Sequence, residues 1–214
     1  MSSGISEALF FLRSWISDPL RVAAVAPSGE ALARLITSEI DGDTGPVMEL
    51  GPGTGAFTRA LLGRGVDERD LLLVEIDPRF GAMLSLKFPG ARIVPVDAAR
   101  LRHMEKLEDI RLGAVVSGLP LLSMPPRKVL LILKGAFDLL EADASFFQFT
   151  YGTRCPVPAP VLARLGLVAH RMGGTFRNLP PASVYRISRR SPSPYAFAAG
   201  VANPTFGRLA GSAD

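Results

Sequence analysis

Glu49-Leu50-Gly51-Pro52-Gly53-Thr54-Gly55 is the stretch of this chain best suited to holding a small ligand. An apolar run leads into it and an amphipathic run follows, so it joins the end of a strand to the start of a helix. Glycines let such a turn be tight and let a ligand approach the main chain, while the free amides of the helix start point into the cleft. Three spaced glycines alone also mark dinucleotide sites and ordinary turns. The neighbouring acids narrow the choice. Glu49, two residues before Gly51, suits a ligand with a cationic amino end and would repel a pyrophosphate. Glu75 ends the next strand, followed by Ile76, where a carboxylate can accept hydrogen bonds from two ribose hydroxyls. Asp97, followed by Ala98, ends the third strand and is placed for the exocyclic amine of an adenine. Strand-end acids often just cap the next helix. Three at successive strand ends point together to one nucleoside-bearing ligand.

Those residues need a parallel sheet to bring them to one edge, and the patterning supplies it. Apolar runs at Pro46 to Leu50, Leu71 to Ile76, Ala91 to Val96, Gly113 to Ser117 and Ser145 to Thr150 read as strands. Thr54 to Arg64, Pro78 to Phe88, Ala98 to Lys106 and Pro126 to Leu140 read as helices between them, with Pro78 and Pro126 suited to a first turn. Gly166 to Ala169 and Ala182 to Ile187 form a final pair of strands, with Gly173-Gly174 between them. The predicted fold is an α/β, doubly wound, Rossmann-like seven-stranded sheet with an antiparallel edge strand and an N-terminal helical extension. Its predicted organisation is residues 1–45 as amphipathic and capping helices, 46–190 as the ligand-binding domain and 191–214 as a flexible tail rich in Ser, Pro, Gly and Ala.

In the extension, Ile5, Ala8, Leu9, Leu12, Trp15 and Ile16 recur at helical spacing, so Gly4 to Ser17 reads as an amphipathic helix. It either covers the cleft as a lid or lies in a bilayer surface with Phe10, Phe11, Trp15 and Ile16 inserted. A second helix, Gly29 to Ile40, follows with Ser28 as its cap.

Composition bounds the rest. Of the chain's 214 residues 48% are hydrophobic, enough for a sizeable core, yet no run is long enough to span a membrane. The N-terminus lacks the pattern of an export signal, so a cytoplasmic location is expected. A single cysteine, Cys155, and two histidines exclude an internal disulfide and make a zinc centre a poor fit, so no metal is expected. The net charge of +4 is unevenly spread: residues 144–214 hold eight arginines against Asp214 alone. Such a block suits a polyanion, whether nucleic acid or anionic lipid.

From Pro46 to Ile187 the chain resembles the class I S-adenosylmethionine-dependent methyltransferases, on the Gly-rich turn with Glu49, Glu75 and Asp97. The resemblance implies S-adenosylmethionine as cofactor, leaving as S-adenosylhomocysteine, held by Glu49, Gly51, Gly53, Thr54, Gly55, Glu75, Ile76, Asp97 and Ala98. Two branches share the Val47-Met48-Glu49-Leu50-Gly51-Pro52-Gly53-Thr54-Gly55 style of turn or its surroundings: the ribosomal RNA adenine dimethylases and the bacterial phospholipid N-methyltransferases. Base-methylating enzymes typically present Asn or Asp, Pro and an aromatic residue after the fourth strand. Here Ser117-Gly118-Leu119-Pro120-Leu121 keeps only the proline, so a flat base has no platform. That loop, Gln148-Phe149-Thr150-Tyr151, Asn178-Leu179-Pro180-Pro181-Ala182 and Leu20 to Gly29 look like the phospholipid enzymes.

By that resemblance the chain is a peripheral enzyme at the inner face of the membrane. It methylates the amine of phosphatidylethanolamine and its methylated intermediates, toward phosphatidylcholine, and favours anionic lipid; neither nucleic acid nor an obligate protein partner is expected. An RNA adenine N-methyltransferase and a non-catalytic membrane module with a vestigial pocket are the alternatives. An aliphatic ammonium, with a pKa near ~10.4 taking lysine as guide, must lose a proton before it attacks. Tyr151 as a polar contact, the carbonyls of Ser117, Gly118 and Leu119, and the lipid phosphate are the candidate acceptors. Arg177 and Arg186 are the candidate phosphate-binding pair.

Overall fold

The computed structural model describes residues 26–104, 109–175 and 181–190. The predicted amphipathic helix with Phe10, Phe11, Trp15 and Ile16, as well as Arg177 and the 191–214 tail, lie outside the described residues.

Seven strands form one sheet in the order β3-β2-β1-β4-β5-β7-β6. They are β1 Val47–Leu50, β2 Leu71–Val74, β3 Arg92–Val94, β4 Leu112–Ser117, β5 Leu140–Tyr151, β6 Leu167–Thr175 and β7 Ala182–Arg189. β1 to β5 pair in parallel. β7 runs antiparallel between β5 and β6. The order reverses between β1 and β4, which is where an open α/β sheet leaves a crevice at its carboxyl edge.

Alternation along each strand sends side chains to two cores. Val47 and Leu71 face the helices α1 (Ala26–Ile36), α2 (Ala56–Gly63) and α3 (Pro78–Lys87), through Leu32, Ile36, Leu61 and Leu84. Met48, Leu50 and Val115 face α4 (Pro126–Leu139) and α5 (Ala159–Leu165), through Val129, Ile132, Leu133 and Val161. α1 therefore belongs to the same fold as the sheet, and Arg186 on β7 ion-pairs with Glu39 just beyond it at 2.9 Å.

Some element bounds depart from the sequence expectation. α1 starts at Ala26, so Ser28 is inside the helix and does not cap it, and it ends at Ile36 rather than Ile40. α2 starts only at Ala56, after Gly55 in the left-handed region. The predicted helix from Ala98 is a 3-10 segment, Ala98–His103, closed by short-range bonds such as Arg100 N–H to Asp97 O. Gly173-Gly174 does not separate the last strands. It lies within β6 beside a register shift after Arg171, because glycine in a strand permits a bulge and the close approach of a neighbouring backbone. α5 was not anticipated in the stretch between Tyr151 and Gly166, which holds Pro156, Pro158 and Pro160. Pro160 serves as a first-turn residue, and Gly166 at φ 65° ends the helix.

Gly113 in β4 shows how tightly the first loop is seated: a Cβ there would lie 1.6 Å from the Thr44 carbonyl oxygen. Gly113→Ala is expected to cost about 1 to 3 kcal/mol of stability through the forced backbone shift, read as a lower urea midpoint. An unchanged midpoint would mean the 41–46 loop yields freely.

Candidate active site

The glycine-rich turn closes on β1 as the sequence implies. Gly51, Gly53 and Gly55 all take positive φ, at 68°, 54° and 80°. Only glycine adopts these values without strain, and at Gly51 a Cβ would also meet the Leu119 side chain at 2.7 Å. The strand-end ladder continues past the sheet: Gly51 N–H donates to Val74 O, Glu75 N–H to Val94 O and Gly118 N–H to Leu50 O. The turn, the β2 end and the loop after β4 are thereby locked together.

Glu75 is buried, and both of its oxygens are engaged. Oε2 accepts the Gly53 N–H at 3.2 Å and Oε1 accepts the Asp77 N–H at 2.9 Å, leaving each oxygen further lone-pair capacity. Glu49 is fully buried. Its Oε2 accepts the Thr58 hydroxyl of α2 at 2.6 Å, while Oε1 has no partner. Burial pushes its carboxyl up to about 7, against the lowering effect of the Thr58 hydroxyl. Asp97 accepts the Ala99 N–H at 3.0 Å and the Lys128 ammonium at 2.9 Å. Its burial acts to raise the pKa, but those two donors outweigh it and hold the carboxyl below the ordinary value.

A recess of about 100 Å³ lies between Glu75 and Asp97, lined by Gly51, Glu75, Ile76, Asp97, Leu119 and Lys128 among others; Glu49, buried against Thr58, does not line it. Ile76 stands 66% exposed at its side, an apolar surface fit for the face of a purine. These carboxylate acceptors suit a nucleoside with a cationic end. Glu75 can receive ribose hydroxyls, Asp97 an exocyclic amine, and the unpartnered Glu49 Oε1 an ammonium. S-adenosylmethionine fits these residues. The group supplies, when bound, a methyl on a sulfonium. Thr54 shapes the rim through its carbonyl, which accepts from Arg59 and Lys87. Ala98 is buried behind Asp97 at the start of the 3-10 segment.

At the carboxyl ends of β4 and β5, Ser117 is buried with its Oγ accepting the Leu119 N–H at 3.3 Å. Tyr151 ends β5 in an aromatic column, edge-on to Phe149 at 5.6 Å, which in turn meets Phe57 of α2 at 5.7 Å. Burial raises the Tyr151 phenol above its ordinary pKa, so at neutral pH it is a neutral hydroxyl and not a base. Arg186 is not brought to this place. It pairs with Phe147 in register, four residues along β7 from Ala182, the partner of Tyr151; at about 3.3 Å per residue that is roughly 13 Å away. Its guanidinium is held by Glu39.

Two residues of the site were given no role from the sequence. Lys128 occupies the first turn of α4, where the helix dipole disfavours a cation, and its Asp97 partner explains that placement. The misplaced charge was the available signal. Gln148 is buried under the loop after β4, and one polar residue in the apolar run Phe146 to Phe149 was the signal there.

No family model matches the chain. The curated ornithine lipid N-methyltransferase of Singulisphaera acidiphila is 26% identical over 151 residues, covering 68% of this chain and 79% of that protein. Among solved structures, a TehB-like methyltransferase from Corynebacterium glutamicum aligns with a TM-score of 0.60 at 18% identity, covering 84% of this chain and 98% of its own. The 1,6-didemethyltoxoflavin-N1-methyltransferase of Burkholderia thailandensis, solved with S-adenosylhomocysteine, aligns at 0.56 and 14%, covering 88% and 92%. The chain thus shares the Rossmann-like fold of these methyltransferases.

Proposed function

We propose that this chain is an S-adenosylmethionine-dependent N-methyltransferase acting at a membrane surface on the amine of phosphatidylethanolamine and its methylated intermediates. The observation that carries the proposal is the loop after β4. Ser117 to Leu121 is aliphatic, with Leu121 buried and Leu119 packed on Gly51, so it offers backbone carbonyls to an amine and no ring to a base. The ornithine lipid enzyme adds support, since its substrate too is a lipid. It also favours a second reading, in which the methylated amine belongs to ornithine in place of ethanolamine.

Chemically, the residues need to position more than to neutralise charge, because transfer from a sulfonium moves a positive charge without creating one. Glu75 and Asp97 orient the nucleoside end, Glu49 holds the amino end, and Leu119 with Ile76 shields the cleft from water. The incoming amine loses its proton to solvent before it attacks, and the neutral amine donates hydrogen bonds to the carbonyls of the loop from Ser117 to Leu119, with the Tyr151 hydroxyl as a polar contact. For the phosphate, Arg177 remains the proposed partner; Arg186 would have to leave Glu39 first.

Labelled S-adenosylmethionine incubated with phosphatidylethanolamine vesicles, ornithine lipid vesicles and RNA tests this. Label in phosphatidylethanolamine is expected. Label in ornithine lipid alone moves the reading to that headgroup, and label in RNA with none in lipid overturns it.

No helix among the described residues is long and apolar enough to cross a membrane. Membrane contact is proposed through residues 1–17. Each large side chain fully buried in the acyl boundary contributes about 1.5 to 3 kcal/mol. Vesicle binding should strengthen with anionic lipid, weaken with salt and collapse on deleting residues 1–17. A truncated protein that sediments as well as the intact one would return that segment to the role of a lid.

A further inference from the structure

Leu50, Ser117, Gln148 and Tyr185 are in register across β1, β4, β5 and β7, at the level where the sheet opens into the cleft. Gln148 has no exposed surface. Its Nε2 donates to two carbonyls, Leu119 O in the loop after β4 at 2.9 Å and Phe149 O at 2.7 Å. Both partners are acceptors, so the amide nitrogen and not its oxygen must face them. Oε1 is then buried without a partner. A methionine would fill the same space without stranding an acceptor, so the amide is kept for its donors.

One of those donors holds the Leu119 peptide, whose carbonyl also accepts the Leu121 N–H at 2.9 Å. The Leu119 N–H donates to Ser117 Oγ, the Leu119 side chain lies against Gly51, and the adjacent Gly118 N–H donates to Leu50 O. The loop is therefore pinned from both strands that flank β4: from β1 through Gly51 and Leu50, and from β5 through Gln148. The first tie sets the loop against the cofactor turn. The second sets the direction of the acceptor-side carbonyls.

We propose that Gln148 is a positioning residue for the methyl acceptor. By fixing the Leu119 carbonyl it holds the backbone of Ser117, Gly118 and Leu119 where an amine must lie for in-line attack, and small displacements from such a geometry cost rate steeply. The inference rests on the N-methyltransferase proposed above, but not on which acceptor it uses.

Gln148→Met keeps the bulk and removes both donors, while Gln148→Glu keeps the shape and sets a carboxylate against two carbonyls. Methyl transfer from labelled S-adenosylmethionine is measured on vesicles of phosphatidylethanolamine with phosphatidylglycerol, on ornithine lipid vesicles or on RNA, whichever the wild type labels. Titration with S-adenosylhomocysteine and thermal melting run in parallel. Both variants are expected to bind S-adenosylhomocysteine within about threefold of wild type and to turn over about tenfold or more slowly, with kcat falling more than the acceptor KM rises. The activity of Gln148→Glu relative to wild type should climb as pH falls, because protonation gives the introduced carboxyl one O–H donor. A purely structural glutamine would lower the melting temperature without that pH signature. Wild-type turnover in both folded variants, or a loss of cofactor affinity as large as the loss of turnover, overturns the proposal. If Gln148→Met does not fold, a Gln148→Glu ratio that is flat with pH overturns it. A wild type that labels neither vesicles nor RNA overturns the N-methyltransferase itself, and the role of Gln148 with it.

Discussion

Glu75→Ala is expected to weaken S-adenosylmethionine binding by about 1 to 3 kcal/mol, roughly five- to 150-fold. Two losses combine. The carboxylate ties the Gly53 N–H of the glycine-rich turn to the Asp77 N–H beyond β2, so its removal frees two backbone donors and loosens the turn. It also removes the acceptors proposed for the ribose hydroxyls, which are then buried unpaired. Glu75→Gln keeps one acceptor oxygen and presents an NH2 group to an N–H donor, so its loss should be intermediate. Calorimetry on variants shown by melting to be folded separates the outcomes. Unchanged affinity in folded Glu75→Ala would remove this residue from the site.

Cofactor binding should also be coupled to pH through Glu49. Its carboxyl is raised to about 7 by burial, so below that pH the apoprotein carries it protonated, whereas an ammonium ligand needs it ionised. Affinity for S-adenosylhomocysteine is expected to drop about tenfold from pH 8 to pH 6, with a proton released on binding at the lower pH. The stability of the apoprotein should run the other way. A carboxyl whose folded pKa lies above its unfolded value of 4.5 contributes stability fully present below 4.5 and lost as pH rises through 7. The loss is of the order of 3 kcal/mol, and it levels off above 7. Glu49→Gln cannot ionise and should flatten both profiles. If the variant retains the wild-type pH dependence of binding, another group is titrating.

Much of this site was visible in the residues themselves. Gly51, Gly53 and Gly55 announce a turn that only glycine can make, and all three take positive φ. Glu49, Glu75 and Asp97 were placed at strand ends by the alternation of apolar runs, because period and chain direction determine which edge each strand end reaches. Partner choice between distant side chains has no such period. Arg186 looked like a phosphate ligand from its neighbours Asn178 to Pro181, yet Glu39, 147 residues earlier, holds it on the α1 face. The Lys128 pairing with Asp97 and the Gln148 tie to Leu119 are of the same kind, each made by elements that meet only once the sheet is assembled. Local rules failed where prolines and glycines served a second purpose, as Pro160 does in starting α5 and Gly173 in bulging β6.

Methyl transfer by this chain requires that the cleft between Gly51, Glu75 and Asp97 take the methyl donor. Titration of the wild-type protein with S-adenosylhomocysteine at pH 8, followed by calorimetry, measures that directly. One site per chain is expected, weakened by Glu75→Ala and by Gly51→Ala, whose added Cβ would strike Leu119. A folded protein that takes up neither S-adenosylhomocysteine nor S-adenosylmethionine, or that binds them equally well with Glu75 and Gly51 replaced, contradicts the assignment.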